Sequence, residues 1–104
     1  MSIYGDWITT TIANGGTTTA EVNLGRDFEL LEVEIPTITS AALNLQVSKT
    51  PGGTFQNLGN SVTTETITGG YTTVWRLGGF QFIKIVSSNA QGAERTFNVR
   101  GIRN

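Results

Sequence analysis

Phe28-Glu29-Leu30-Leu31-Glu32-Val33-Glu34-Ile35-Pro36 is the stretch on which the fold turns. In an extended chain successive side chains point to opposite faces, so Leu31, Val33 and Ile35 share one face while Glu32 and Glu34 share the other. Pro36, with no N–H to give a ladder, stops the pattern. One face is therefore buried and one wet, the signature of a strand in an antiparallel sheet. The period recurs in Ala41 to Lys49, where Leu43, Leu45 and Val47 oppose Asn44, Gln46 and Ser48. These two segments are expected at the centre of the core.

The flanking signals repeat the theme. Thr50-Pro51-Gly52-Gly53 combines a fixed φ with two residues free to adopt positive φ, which is turn chemistry. Val62 to Thr68 reads as a Thr-rich strand, Gly69-Gly70 as a hairpin turn and Tyr71 to Leu77 as its partner, ended by Gly78-Gly79. Phe80 to Ser87 is apolar on both faces and should be a central strand, with Lys84 near an end or snorkelling. Arg95 to Ile102 is the last strand, with Phe97 and Val99 inward. At the other end, Trp7 to Ile12 and Thr17 to Leu24 form a pair around Asn14-Gly15-Gly16. No segment sustains a helical period, and short strands recur roughly every 8 to 12 residues. The expectation is one all-β domain over residues 1–104, an antiparallel β-sandwich of jelly-roll type with about eight or nine strands.

Composition narrows the function classes. The 104 residues contain no cysteine and no histidine, so neither a disulfide framework nor a thiolate metal site is available. The usual general base and the strongest nucleophile are missing together, and a Ser-His-Asp triad is excluded. Glu32 and Glu34 sit at a spacing that two-carboxylate glycoside hydrolysis accepts, but carboxylates alternating with buried aliphatics read as a solvated sheet face. Asp6 and Asp27 are the nearest approach to a calcium site and lack a clustered Asp-x-Asp pattern. The paired glycines precede no helix, so they make no phosphate loop. The expectation is a protein without enzymatic activity or cofactor.

The net charge is −1. Acidic residues Glu21, Asp27, Glu29, Glu32 and Glu34 fall early, whereas Arg76, Lys84, Arg95, Arg100 and Arg103 fall late. Such segregation draws subunits together head to tail unless strands distant in sequence interleave. No basic cluster points to nucleic acid. No apolar run reaches the roughly 18 residues of a membrane span, and Met1 to Asp6 lacks the pattern of a signal peptide, so synthesis and folding in the cytoplasm are expected.

From Leu24 onward the order of signals resembles a family of small virion proteins of tailed phages, β-sandwiches related in shape to galactose-binding and discoidin-like jelly rolls. The matching residues are Leu24-Gly25, Ile35-Pro36, Leu43-Asn44-Leu45-Gln46-Val47-Ser48 leading into Gly52-Gly53-Thr54-Phe55, the Phe82-Ile83-Lys84-Ile85 strand with its Ser87-Ser88 exit, and Gln91-Gly92-Ala93-Glu94-Arg95. The resemblance implies a capsid decoration (cement) protein in the virion that binds the major capsid protein or other virion subunits, as a homo-oligomer and by family habit a trimer. A carbohydrate-binding module, or a tail or baseplate accessory protein, is the alternative.

Two sets of residues are candidates for contact. Ile3, Tyr4 and Trp7 lie outside the best-patterned strands, where a chain end is free to reach a neighbouring subunit, and aromatic anchors carry much of the energy of such interfaces. For a glycan ligand, the aromatics Tyr4, Trp7, Tyr71 and Trp75 are candidates for a platform, Tyr71 and Trp75 foremost, with Arg95 as a further candidate. Arg95 matches the family's arginine before the final strand, a position that also suits hydrogen bonding to the preceding loop.

Overall fold

The computed structural model describes residues 3–58 and 68–103. Among them are seven strands: β1 (Ile3–Tyr4), β2 (Ile8–Ile12), β3 (Val22–Thr37), β4 (Leu43–Ser48), β5 (Gln56–Asn57), β6 (Gly69–Ser87) and β7 (Arg95–Arg103). All their pairings are antiparallel, in the order β1-β7-β3-β6-β4-β5, with β2 on the same edge of β7 as β1. No helix is long and apolar enough to cross a membrane.

The fold is all-β and sandwich-like, made from one hydrogen-bonded sheet that doubles over. Two long strands do the doubling. Between the Asn23↔Phe82 and Phe28↔Phe80 pairs, β3 advances five residues while β6 advances two. Between Phe28↔Phe80 and Leu30↔Arg76, β3 advances two while β6 advances four. Extra residues on first one strand and then the other bend both, as β-bulges do. Gly25, Gly78 and Gly79 supply the bend, with φ of 88°, 76° and 95° that a residue with a Cβ rarely adopts.

Two of the strands expected above are joined into one. Tyr71 to Leu77 and Phe80 to Ser87 are one strand, because Gly78-Gly79 bends the chain without stopping it. Gly69 opens β6, pairing with Thr37. Val62 to Thr68 lies, except for Thr68, outside the described residues.

The alternating faces hold. Leu31, Val33, Leu43 and Leu45 are fully buried, and they join Val47, Trp75, Leu77, Ile83, Ile85, Phe97 and Val99 in one core. Each fully buried aliphatic of this kind contributes about 1.5–3 kcal/mol. The segment apolar on both faces is central, flanked by β3 and β4. Lys84 lays its ammonium 4.4 Å from the centre of the Phe55 ring.

β2 pairs with β7, not with Thr17 to Leu24. Thr17 to Thr19 are instead held by β6: Ser87 N–H donates to Thr17 O (2.6 Å), Thr19 N–H to Ile85 O (3.0 Å), and Ile85 N–H to Thr19 Oγ1 (3.0 Å). The separated charges are also brought together inside the chain. β3 lies against β7, so Arg100 meets Glu32 at 2.6 Å and Arg103 approaches Asp27 at 3.8 Å. The segregation visible in sequence is interleaved in space.

Candidate functional site

The outer face of the β7, β3 and β6 half carries the most exposed apolar surface beside a charged pair. In β7 the inward residues Phe97 and Val99 alternate with Asn98 and Arg100, which therefore face out. Cross-strand pairing sets Arg100 beside Glu32 and Glu32 beside Val74. A second row runs Thr9, Asn98, Glu34, Thr72, tied by Thr9 Oγ1 donating to Asn98 Oδ1 (2.9 Å) and Asn98 Nδ2 to Glu34 Oε1 (2.8 Å).

Arg100 is the hub. Its Nε donates to Glu32 Oε1 at 2.6 Å, and its guanidinium sits 4.7 Å from the Tyr4 ring centre and 4.6 Å from that of Trp7. A guanidinium over an aromatic face gains about 0.5–1 kcal/mol at an exposed site. The two aromatic rings thus hold the cation while their own surfaces stay 56% and 46% exposed.

Tyr4 and Trp7 are three residues apart, and a regular strand would turn them to opposite faces. The edge is not regular. From Tyr4↔Ile102 to Ile8↔Val99 the N-terminal segment advances four residues and β7 only three. One extra residue near Asp6 and Trp7 reverses the facing and brings both rings to Arg100. Gly5 keeps this segment against β7, its N–H donating to Gly101 O at 2.8 Å.

Ile3, Tyr4 and Trp7 are all exposed, but Ile3 and Tyr4 are not a free arm: they pair with Arg103 and Ile102 as an edge strand. The second candidate set is not brought together. Trp75 is 2% exposed, offers no face to a ligand, and its Nε1–H finds no acceptor among the described residues. Tyr71 lies further along β6 and is partly exposed at its end. Arg95 opens β7 opposite Ile12 and is engaged by a loop, donating from Nε to Gln91 Oε1 (3.2 Å) and from a terminal nitrogen to Thr39 Oγ1 (3.0 Å).

Gln91, which sequence reasoning did not single out, is the anchor of that loop. It is 1% exposed; its Oε1 accepts from Thr39 N–H (2.8 Å) and its Nε2 donates to Ser87 Oγ (2.9 Å) and Thr39 O (3.2 Å). Its backbone exchanges hydrogen bonds with Gly15 and Gly16. Arg100 and Val74 were missed too, although alternation beyond Phe97 and Val99 would have turned Arg100 outward.

Glu32 is committed to Arg100 and Glu34 to Asn98, and no group of three or more Asp or Glu is gathered for a metal ion among the described residues. A shallow cleft of about 440 Å³ beside the face is lined by Glu29, Leu30, Arg76, Gly78 and Gly79.

No protein-family model and no curated protein matches the sequence. Solved structures do match in fold. The SPBc2 prophage-derived protein YomS is 15% identical with a TM-score of 0.60, covering 96% of this chain and 95% of its own. Chitosan-binding module 1 of a chitosanase/glucanase from Paenibacillus sp. IK-5 is 16% identical with a TM-score of 0.56, over 88% of this chain and 74% of the module. The CBM32 of AlyQ, solved with 4,5-unsaturated mannuronic acid, is 10% identical with a TM-score of 0.57, over 89% and 75%. The chain shares its sandwich-like fold with a prophage-derived protein and with carbohydrate-binding modules.

Proposed function

We propose that this chain is a structural protein of a tailed-phage virion, a jelly-roll decoration (cement) protein that binds the head shell by adhesion. The observation that carries this reading is the near end-to-end correspondence with prophage-derived YomS, 96% of one chain on 95% of the other. The surface that would bind is the outer face around Tyr4, Arg100, Trp7 and Val74. Its partner is the major capsid protein or another virion subunit. Exposed aromatics with a fixed arginine are the composition of interface anchors. With a net charge of −1, contact would rest on shape and apolar burial, and charge would set the rate of encounter more than affinity.

Mass spectrometry of purified phage particles tests it. The chain should be present on the order of hundreds of copies per particle, as a shell lattice requires. Its absence rejects the reading, and a few tens of copies or fewer would reassign it to the tail or baseplate.

Carbohydrate binding is the second reading, favoured by the fold of the chitosan-binding module and of the CBM32 and by the exposed Trp7 ring. Because Trp75 is buried, a fluorescence change on adding sugar would report Trp7. Silence on a glycan array together with unmoved Trp7 emission would remove this reading.

A further inference from the structure

β2 is an open edge. Its residues pair with β7 on one side, and no backbone hydrogen bond joins its other side to another segment among the described residues. In a singly paired strand alternate N–H and C=O groups point away from the sheet, and proteins usually blunt such an edge with charge or proline. β2 has neither: it reads Ile8-Thr9-Thr10-Thr11-Ile12. The same rim carries Ile3, Tyr4 and Trp7, three of the five exposed large hydrophobic residues among the described ones.

The sequence of this edge is the same read in either direction. Laid antiparallel on a second copy with Thr10 at the two-fold axis, Ile8 faces Ile12 of the other copy and Thr9 faces Thr11. The strand ends at the Asp6-Trp7 irregularity on one side and before the Asn14-Gly15 turn on the other, and none of its five residues carries a charge to oppose a like one. Self-complementarity of this kind is what a two-fold contact demands, since one patch must fit itself.

We infer that the β2 edge is a self-association surface, and that its occupant is the β2 edge of a second copy of this chain. Two strands joined this way form a continuous sheet whose two-fold axis runs perpendicular to it. Both Tyr4, Arg100 and Trp7 clusters then lie on one side of the dimer. A shell would be met by two linked patches instead of one, which raises retention through effective concentration without any new contact. The geometry gives a dimer, not the trimer that the family resemblance implies.

The test uses purified protein and no shell, so its outcome is separate from that of the virion reading. The unaltered chain should sediment as a concentration-dependent dimer. Thr9→Lys with Thr11→Lys places like charges directly opposite across both ends of the contact and should weaken the dimer about tenfold or more. Thr9→Lys with Thr11→Glu alters the same two outward positions but opposes unlike charges, and should keep the dimer. Circular dichroism melts of both variants establish that they are folded. A monomeric parent, or equal behaviour of the two variants, would overturn the inference.

Discussion

Arg95 and Arg100 sit on the same strand and do opposite jobs. Arg95, at the start of β7, is turned into the loops, where it shares Gln91 and Thr39 with backbone groups of neighbouring turns. Arg100 is turned onto a sheet face between two aromatic rings that remain about half exposed. Around Arg95 polar atoms are buried and satisfied, which is what a fold needs. Around Arg100 large apolar surfaces are left in water, which folding alone does not reward. The contrast separates a loop cluster whose polar groups are satisfied from a sheet face that keeps large apolar surface exposed among the described residues, the face proposed above to bind.

The largest expected effect tests the architectural side. Gln91→Ala removes the acceptor of Thr39 N–H and the donor to Ser87, stranding groups in a site that is almost closed to water. It should lower stability by about 2–4 kcal/mol in urea unfolding, with the slope unchanged. A loss below about 1 kcal/mol would mean that water replaces the side chain and that the loop cluster is not held by it.

Arg100→Ala should cost less, about 1 kcal/mol, since its ion pair and ring contacts are partly solvated. A double-mutant cycle with Glu32→Gln separates the pair from the rings. Coupling of about 0.5–1 kcal/mol is expected; none at all would mean that the rings alone position the guanidinium. The smallest effect on stability belongs to Trp7→Ala, about 0.5–1 kcal/mol, yet it should reduce occupancy on particles about tenfold. Unchanged occupancy would dissolve the contrast between the two regions.

The core was legible because it follows a local rule. Leu31, Val33 and Ile35 needed only a period of two, and Phe80 to Ser87 only its lack of a polar face. What was not legible depends on partners far along the chain. Gly78-Gly79 has the same chemistry whether it ends a strand or bends one; only the pairing of β6 with β3 decides. Nothing local says that Ile8 to Ile12 prefers β7 to Thr17 to Leu24. Gly101 reads as a blemish in the last strand, whereas a Cβ there would come within 2.1 Å of the Phe28 ring.

The candidate site was half legible for the same reason. Tyr4 and Trp7 stood out as aromatics away from patterned strands, but their spacing assigned them to opposite faces, and only the extra residue in the edge reunites them. Trp75 was as conspicuous in sequence as Trp7, yet alternation with Leu77 sends it inward.

The place of β7 in the sheet has a consequence for how the domain is made. β7 is the last of its strands to be synthesised, and it is the neighbour of β1, β2 and β3. Until residues 95–103 have left the ribosome, the N-terminal strands have no ladder to join and β3 offers an unpaired edge. Pairings of such long sequence separation place folding in the slow, millisecond-to-second range. The nascent chain is thus exposed to wrong strand partners until β7 is available, and removing β7 would take away the template on which β1 and β2 are ordered.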